Sequence, residues 1–257
     1  VGLGACALAA FGFLKLEAHV LAAPLNAAPP RMIVMHDRPP HVVADTDAVL
    51  VRFAKTPWTK PTLCGDIATA LAAVPWVKEV TSVHRFPDRH IEVRCQFRTP
   101  TALVQKVDKF YLVDPDGVRL PGEYVNDPAY FIVQGVGANT PEPGKAWPGD
   151  DLRAGLAVVK LLHAEPYRGQ ITGVLVHNFA GREDPRRPHV VLATDRGGGR
   201  IVWGSAPGKE IEENTIAAKL SLLRTNFERY GRVDANRAVI DISVHPDRII
   251  TAEAARG

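Results

Sequence analysis

The chain has 257 residues, 46% of them hydrophobic, and its 31 basic and 28 acidic side chains leave a formal charge of +3. That much apolar material supports one large or two ordinary folded domains and excludes a disordered chain, and so even a charge balance offers no electrostatic footprint for nucleic acid. The three cysteines, Cys6, Cys64 and Cys95, are too few and too irregularly spaced for a zinc site or a disulfide framework.

The first stretch, Val1 to Leu14, is apolar and rich in Gly and Ala. As a helix it spans about 21 Å, short of the roughly 20 residues that cross a bilayer. It reads as a partial transmembrane anchor over residues 1–20, as the core of a signal peptide, or as an ordinary helix ending at Lys15 and Glu17. Residues 21–40 are Ala/Pro-rich, with Pro29-Pro30 and Pro39-Pro40, and read as a linker interrupted only by the apolar Met32-Ile33-Val34-Met35.

Val42-Val43 and Val49-Leu50-Val51 are short strand or helix candidates. Thr62 is placed to cap a helix whose apolar residues Leu63, Ile67, Leu71 and Val74 recur at helical spacing, and Pro75 ends it. Two runs of alternating residues then flank Phe86-Pro87-Asp88-Arg89. Pro87 fixes its own φ and Asp88 can bond back to the backbone, so the runs, ending near Cys95, are expected to pair as an antiparallel hairpin. A helix packed on one face of a small sheet makes an α+β unit. Trp76 and Phe86 fill its core or receive another protein's chain.

Short strands follow at Ala102–Val107, Phe110–Val113 and, past the Asp114-Pro115-Asp116-Gly117 turn, Val118–Leu120, with another at Tyr130–Val133. Asp150 or Asp151 caps a helix with Leu152, Leu156, Val159 and Leu162 on one face. Strands return at Ile171–His177, His189–Thr194 and Arg200–Trp203. A helix from about Asn214 to Tyr230 turns Ile216, Leu220, Leu223 and Phe227 inward and stops at Gly231. Ala238–Val244 and Arg248–Ala252 are the last strands.

Signals for chemistry are weak throughout. Gly204-Ser205-Ala206-Pro207-Gly208-Lys209-Glu210 resembles a phosphate loop, yet it is one residue short between its glycines and has Glu210 where a magnesium-binding hydroxyl belongs. Gly135-Val136-Gly137 is half of a dinucleotide fingerprint. His177 and His189 end neighbouring strands without a third metal ligand at useful spacing. No serine lies in a Gly-x-Ser-x-Gly frame. No catalytic residue, metal or cofactor is expected.

The helix with Leu71-Ala72-Ala73-Val74-Pro75-Trp76, then Arg85-Phe86-Pro87-Asp88 and Ile91-Glu92-Val93, resembles the end of a POTRA (polypeptide-transport-associated) domain. Together with Leu112-Val113-Asp114-Pro115-Asp116-Gly117-Val118, Ala217-Ala218-Lys219-Leu220 and Val239-Ile240-Asp241-Ile242, the chain from about Val42 to Ala252 is similar to the FtsQ/DivIB family of bacterial cell-division proteins. Phe97-Arg98-Thr99-Pro100 stands where the family has Glu-Arg-x-Pro, and Ser243-Val244-His245-Pro246 replaces a more basic and aromatic strand end.

The resemblance implies an α+β protein. A small POTRA-type domain over residues 41–98, with helices on a three-stranded sheet, would precede a larger, mainly antiparallel β domain with two helices over residues 99–254. It further implies a non-catalytic, single-pass inner-membrane scaffold with its bulk in the periplasm, binding FtsB- and FtsL-type partners by strand addition. The partner edge carried over from the family is Ile240, Ile242, Val244, Ile249 and Ile250, for which plain core strand is the competing reading. A POTRA-type module of a secretion system is the alternative, but no membrane-barrel pattern follows it.

Overall fold

The computed structural model describes residues 11–16, 28–244 and, for the backbone, 250–251. The chain forms two compact units, Val1–Arg98 and Thr99–Gly257. Both are α+β.

In the first unit the elements are β1 (Met32–Met35), α1 (Val43–Leu50), α2 (Leu63–Ala72), β2 (Val77–Arg85) and β3 (His90–Phe97). The sheet order is β1-β3-β2, with β3 parallel to β1 and antiparallel to β2. The reversal at Pro87 is closed by Phe86 N–H to the His90 carbonyl (3.0 Å) and Arg89 N–H to the Phe86 carbonyl (2.9 Å). Leu63, Ile67 and Leu71 of α2 pack with no exposure, as do Ile91 and Val93 of β3. Their i, i+4 and i, i+2 spacings put each set on one face of its element.

Two local expectations change here. Met32–Met35 lies in the stretch read as linker, yet it is a parallel strand along β3. The prolines that suggested a linker flank this run without entering it, so every residue of β1 keeps its N–H. Thr62 makes no capping bond because its backbone is already helical (φ −85°, ψ −3°), and its hydroxyl donates to Asp66 instead (2.9 Å). Trp76 is 6% exposed against His41, so it fills the unit's own core. Cys64 and Cys95 are free thiols, and burial pushes the Cys95 thiol up.

The second unit holds β4 (Ala102–Lys106), β5 (Lys109–Val113), β6 (Phe131–Gln134), α3 (Asp150–Leu162), β7 (Ile171–Leu175), β8 (Val190–Thr194), β9 (Arg200–Gly204), α4 (Ile216–Tyr230), β10 (Val239–Asp241) and β11 (Ile250–Thr251). They build an eight-stranded sheet in the order β11-β10-β9-β8-β7-β6-β4-β5. The sheet is mixed rather than mainly antiparallel: β4/β6, β6/β7 and β9/β10 run parallel. Two of these pairs are joined through a helix, α3 between β6 and β7 and α4 between β9 and β10. A helical crossover returns the chain to the end where the previous strand began, so the next strand must run in the same direction.

The register sets the core. Tyr111, Val104, Val133, Val174, Leu192, Ile201 and Ile240 stand opposite one another in one row across seven strands, and every one is buried in the same apolar cluster as Leu152, Leu156, Val159 and Leu162 of α3. Gly155 lets α3 approach this row; a Cβ there would lie 2.9 Å from Val133 Cγ1. The cap of α3 is Gly149, at φ 96°, rather than an aspartate. Asp151 is drawn inward instead and accepts from Gly137 N–H (2.7 Å), Leu152 N–H (2.8 Å) and Arg182 (2.6 Å). Val118–Leu120 forms isolated bridges rather than a strand, Val118 to Ala146 and Arg119 to Val113. The buried Asp114 carboxylate takes the N–H of Asp116 and Val118 and bends the chain there.

Among the described residues no helix is long and apolar enough to cross a membrane. Residues 11–16 are helical, with Phe13 69% exposed; the rest of the segment read as an anchor lies outside the described residues.

Candidate functional site

The two ends of the larger sheet are finished differently. Along the outer side of β5, Tyr124 N–H bonds to the Phe110 carbonyl and Leu120 N–H to that of Leu112, both at 2.8 Å, so the chain itself covers this edge. At the opposite end, among the described residues, β10 pairs with Ile250–Thr251 of β11, which places Thr251 against Ile240 and Ile250 against Asp241. The outer strand of a sheet presents backbone donors and acceptors that another chain can use.

The direction of those groups follows from the ladder. Arg200 N–H bonds to the Ala238 carbonyl and Ile242 N–H to that of Val202, so the backbone of Ile240 faces β9. Because strand residues alternate, the N–H and C=O of Val239 and Asp241 face away from β9, and on β11 those of Thr251 face away from β10. Ile240 and Ile242 have no exposed side chain and belong to the core, while Val244 is half-buried. Ile250 is the register partner of Asp241, and Ile249 lies outside the described residues. Val239 and Asp241 thus turn their backbone groups towards β11, with Asp241 paired to Ile250.

The edge is held from behind by a polar cluster at the start of α4. Asn214 donates its N–H to the Ser243 carbonyl (2.6 Å) and its side-chain amide to that of Ile242 (2.9 Å), fixing the chain as it leaves β10. Ser243 returns N–H and hydroxyl bonds to Asp241 (2.8 and 2.6 Å). Next to Asn214, Glu213 accepts from the Ser205 N–H and hydroxyl and from Lys219 Nζ (2.8 Å). Lys219 is wholly buried and lies 5.3 Å from the centre of the Trp203 ring. Burial pushes the Glu213 carboxyl up, but the Lys219 and Ser205 bonds prevail and hold it below its ordinary range. In the loop that resembles a phosphate cradle, the Ser205 N–H is thus already taken by an internal carboxylate.

The inward face of α4 is rotated from the expected one. Lys219, Leu223 and Asn226 are its buried residues, whereas Ile216, Leu220 and Phe227 are half-buried. Thr215 caps it through its hydroxyl and Gly231, at φ 66°, ends it.

His177 and His189 share a half-open cleft on the sheet face away from α3 and α4. Its floor is Leu175, Val191, Val202 and Val239, and its rim includes Glu183, Arg187 and Arg200. Asn178 organises the loop above it: its amide donates to the Asp184 and Arg187 carbonyls (2.8 and 2.9 Å) and its carbonyl accepts the N–H of Glu183 and Asp184 (both 2.9 Å). Among the described residues no group of His, Cys, Asp and Glu is arranged to hold a metal. No protein-family model and no curated protein matches the chain.

Proposed function

We propose that the chain is a non-catalytic, membrane-anchored scaffold of the FtsQ/DivIB type, which binds FtsB- and FtsL-type division proteins by strand addition and helps to organise septal peptidoglycan synthesis. On this reading the first unit, with its helix pair and three-stranded sheet, is the POTRA-type module. The observation that carries the proposal is the contrast between the sheet's ends among the described residues: β5 is covered by its own chain, while on β11 the backbone groups of Thr251 face away from β10, which is braced by Asn214. An added strand gains one backbone bond for each outward group it meets, and alternate side chains select the partner.

The test uses proline, which removes an N–H without adding charge. Thr251→Pro deletes an N–H that faces away from β10, so the pairing of β10 with β9 persists. Co-expressed with the division subunits in pull-downs, this variant is expected to keep its thermal transition and lose partner recovery. Full recovery with an intact transition would refute strand addition at this edge.

A further inference from the structure

The larger sheet has two differently finished faces as well as two differently finished ends. On the face opposite the helices, Leu103, Leu112 and Ile132 are buried, but Leu175, Val191, Val202 and Val239 are only half-buried. The register makes Leu175, Val191 and Val202 direct neighbours across β7, β8 and β9. Three strands set about 4.8 Å apart carry a row of roughly 10 Å, which is the rise from i to i+7 along an α-helix. Four aliphatic side chains on adjacent strands thus form an apolar floor at one end of an otherwise closed face.

The rim supplies a sign. Arg187, Arg200, His177 and His189 line the cleft with one carboxylate, Glu183. Among the described residues the Arg187 side chain pairs with Asp184 of its own loop (3.5 Å), and Arg200 gives one N–H to the Gly199 carbonyl (3.0 Å). The wall is preformed, because the four bonds of Asn178 fix residues 178–187 before anything arrives.

We propose that this cleft docks an amphipathic helical segment of a protein partner, with aliphatic residues at i, i+3 or i+4, and i+7 and carboxylates on its flanks. The site is separate from the sheet edge and does not depend on strand addition. Apolar contact supplies the affinity and the arginines select against cationic segments.

Two labelled synthetic helical peptides with one Leu pattern, flanked by Glu in one and Lys in the other, test this by fluorescence anisotropy against the full chain. The Glu peptide is expected to bind about tenfold more tightly than its Lys counterpart, and Arg187→Glu with Arg200→Glu to remove that preference. Methyl resonances of Leu175, Val191, Val202 and Val239 should shift on titration, a readout that also verifies the fold. The Thr251→Pro variant, altered outside the cleft, should bind the Glu peptide as before, which separates this site from the edge. Equal affinity for both peptides, unmoved methyls at saturation, or indifference of a folded charge-reversal variant would overturn the proposal. So would failure of the Glu peptide alongside charge-dependent binding to anionic vesicles, or alongside self-association through the same face.

Discussion

The ammonium of Lys219 lies 2.8 Å from the carboxylate of Glu213 with none of its side chain exposed to solvent. An ion so placed is tolerable only while its partner holds it, since an unpaired buried charge loses its hydration and gains nothing in return. Lys219→Ala and Glu213→Gln should each cost about 3 kcal/mol, measured by urea unfolding. Replacing both by apolar residues of similar volume should recover most of that loss. A single variant with unchanged stability would show that the pair does not brace the start of α4.

The same pair gives a dependence on pH. The Glu213 carboxyl is held below its ordinary value in the folded chain, so its contribution is complete above the unfolded carboxylate pKa of about 4.3 and is lost as pH falls through the lower native value. Arg224 holds the Glu165 carboxyl down likewise, through two bonds of 2.8 and 2.6 Å. Stability should therefore decline on acidification below about pH 5, and Glu213→Gln should flatten that slope while lowering the plateau at neutral pH.

Gly204 has no room for a side chain. At φ 95°, an added Cβ would lie 2.3 Å from Glu213 Oε2 and 2.7 Å from Ser243 Cβ, so Gly204→Ala pushes on the pair and on the end of β10 together. We expect a loss of more than about 2 kcal/mol and faster amide exchange at Ile242 and Ser243. Gly208→Ala is the control: its φ of 81° carries the backbone strain, but nothing lies within 4 Å of an added Cβ.

Asp151 and Asp150 separate burial from sequence position. Asp151 is 4% exposed and ties Gly137, Leu152 and Arg182 together, whereas Asp150 is 71% exposed and pairs with Arg153. Asp151→Asn should cost about 2 kcal/mol and loosen the loop over the cleft; Asp150→Asn should stay within roughly 0.5 kcal/mol. Thermal melts of the two variants decide between them.

The turn at Pro87 and the runs on either side of it were legible because a proline-aspartate reversal and a two-residue alternation are local. The faces of α2 and α3 were legible for the same reason: Leu63, Ile67 and Leu71, and Leu152, Leu156 and Val159, are their own helix's neighbours. In α4 the local signal was incomplete: Leu223 is in the core with Leu220 and Phe227 packed against it, but Lys219 counts as polar in any sequence window and is buried only because Glu213 and Trp203 surround it. Ile240 was legible as strand, but not the direction of its backbone, which belongs to β9.

The sequence by itself determined most of the helices and strands, apart from Met32–Met35 and Val118–Leu120, and that both units mix the two. Tertiary structure alone decided that Met32–Met35 joins β3, that β9 and β10 run parallel, and that β5 is covered by its own chain while β11 lies outermost at the other end. Periodicity carries information over a few residues, whereas pairing, direction and exposure depend on how crossovers of dozens of residues close, and no window along the chain contains both partners.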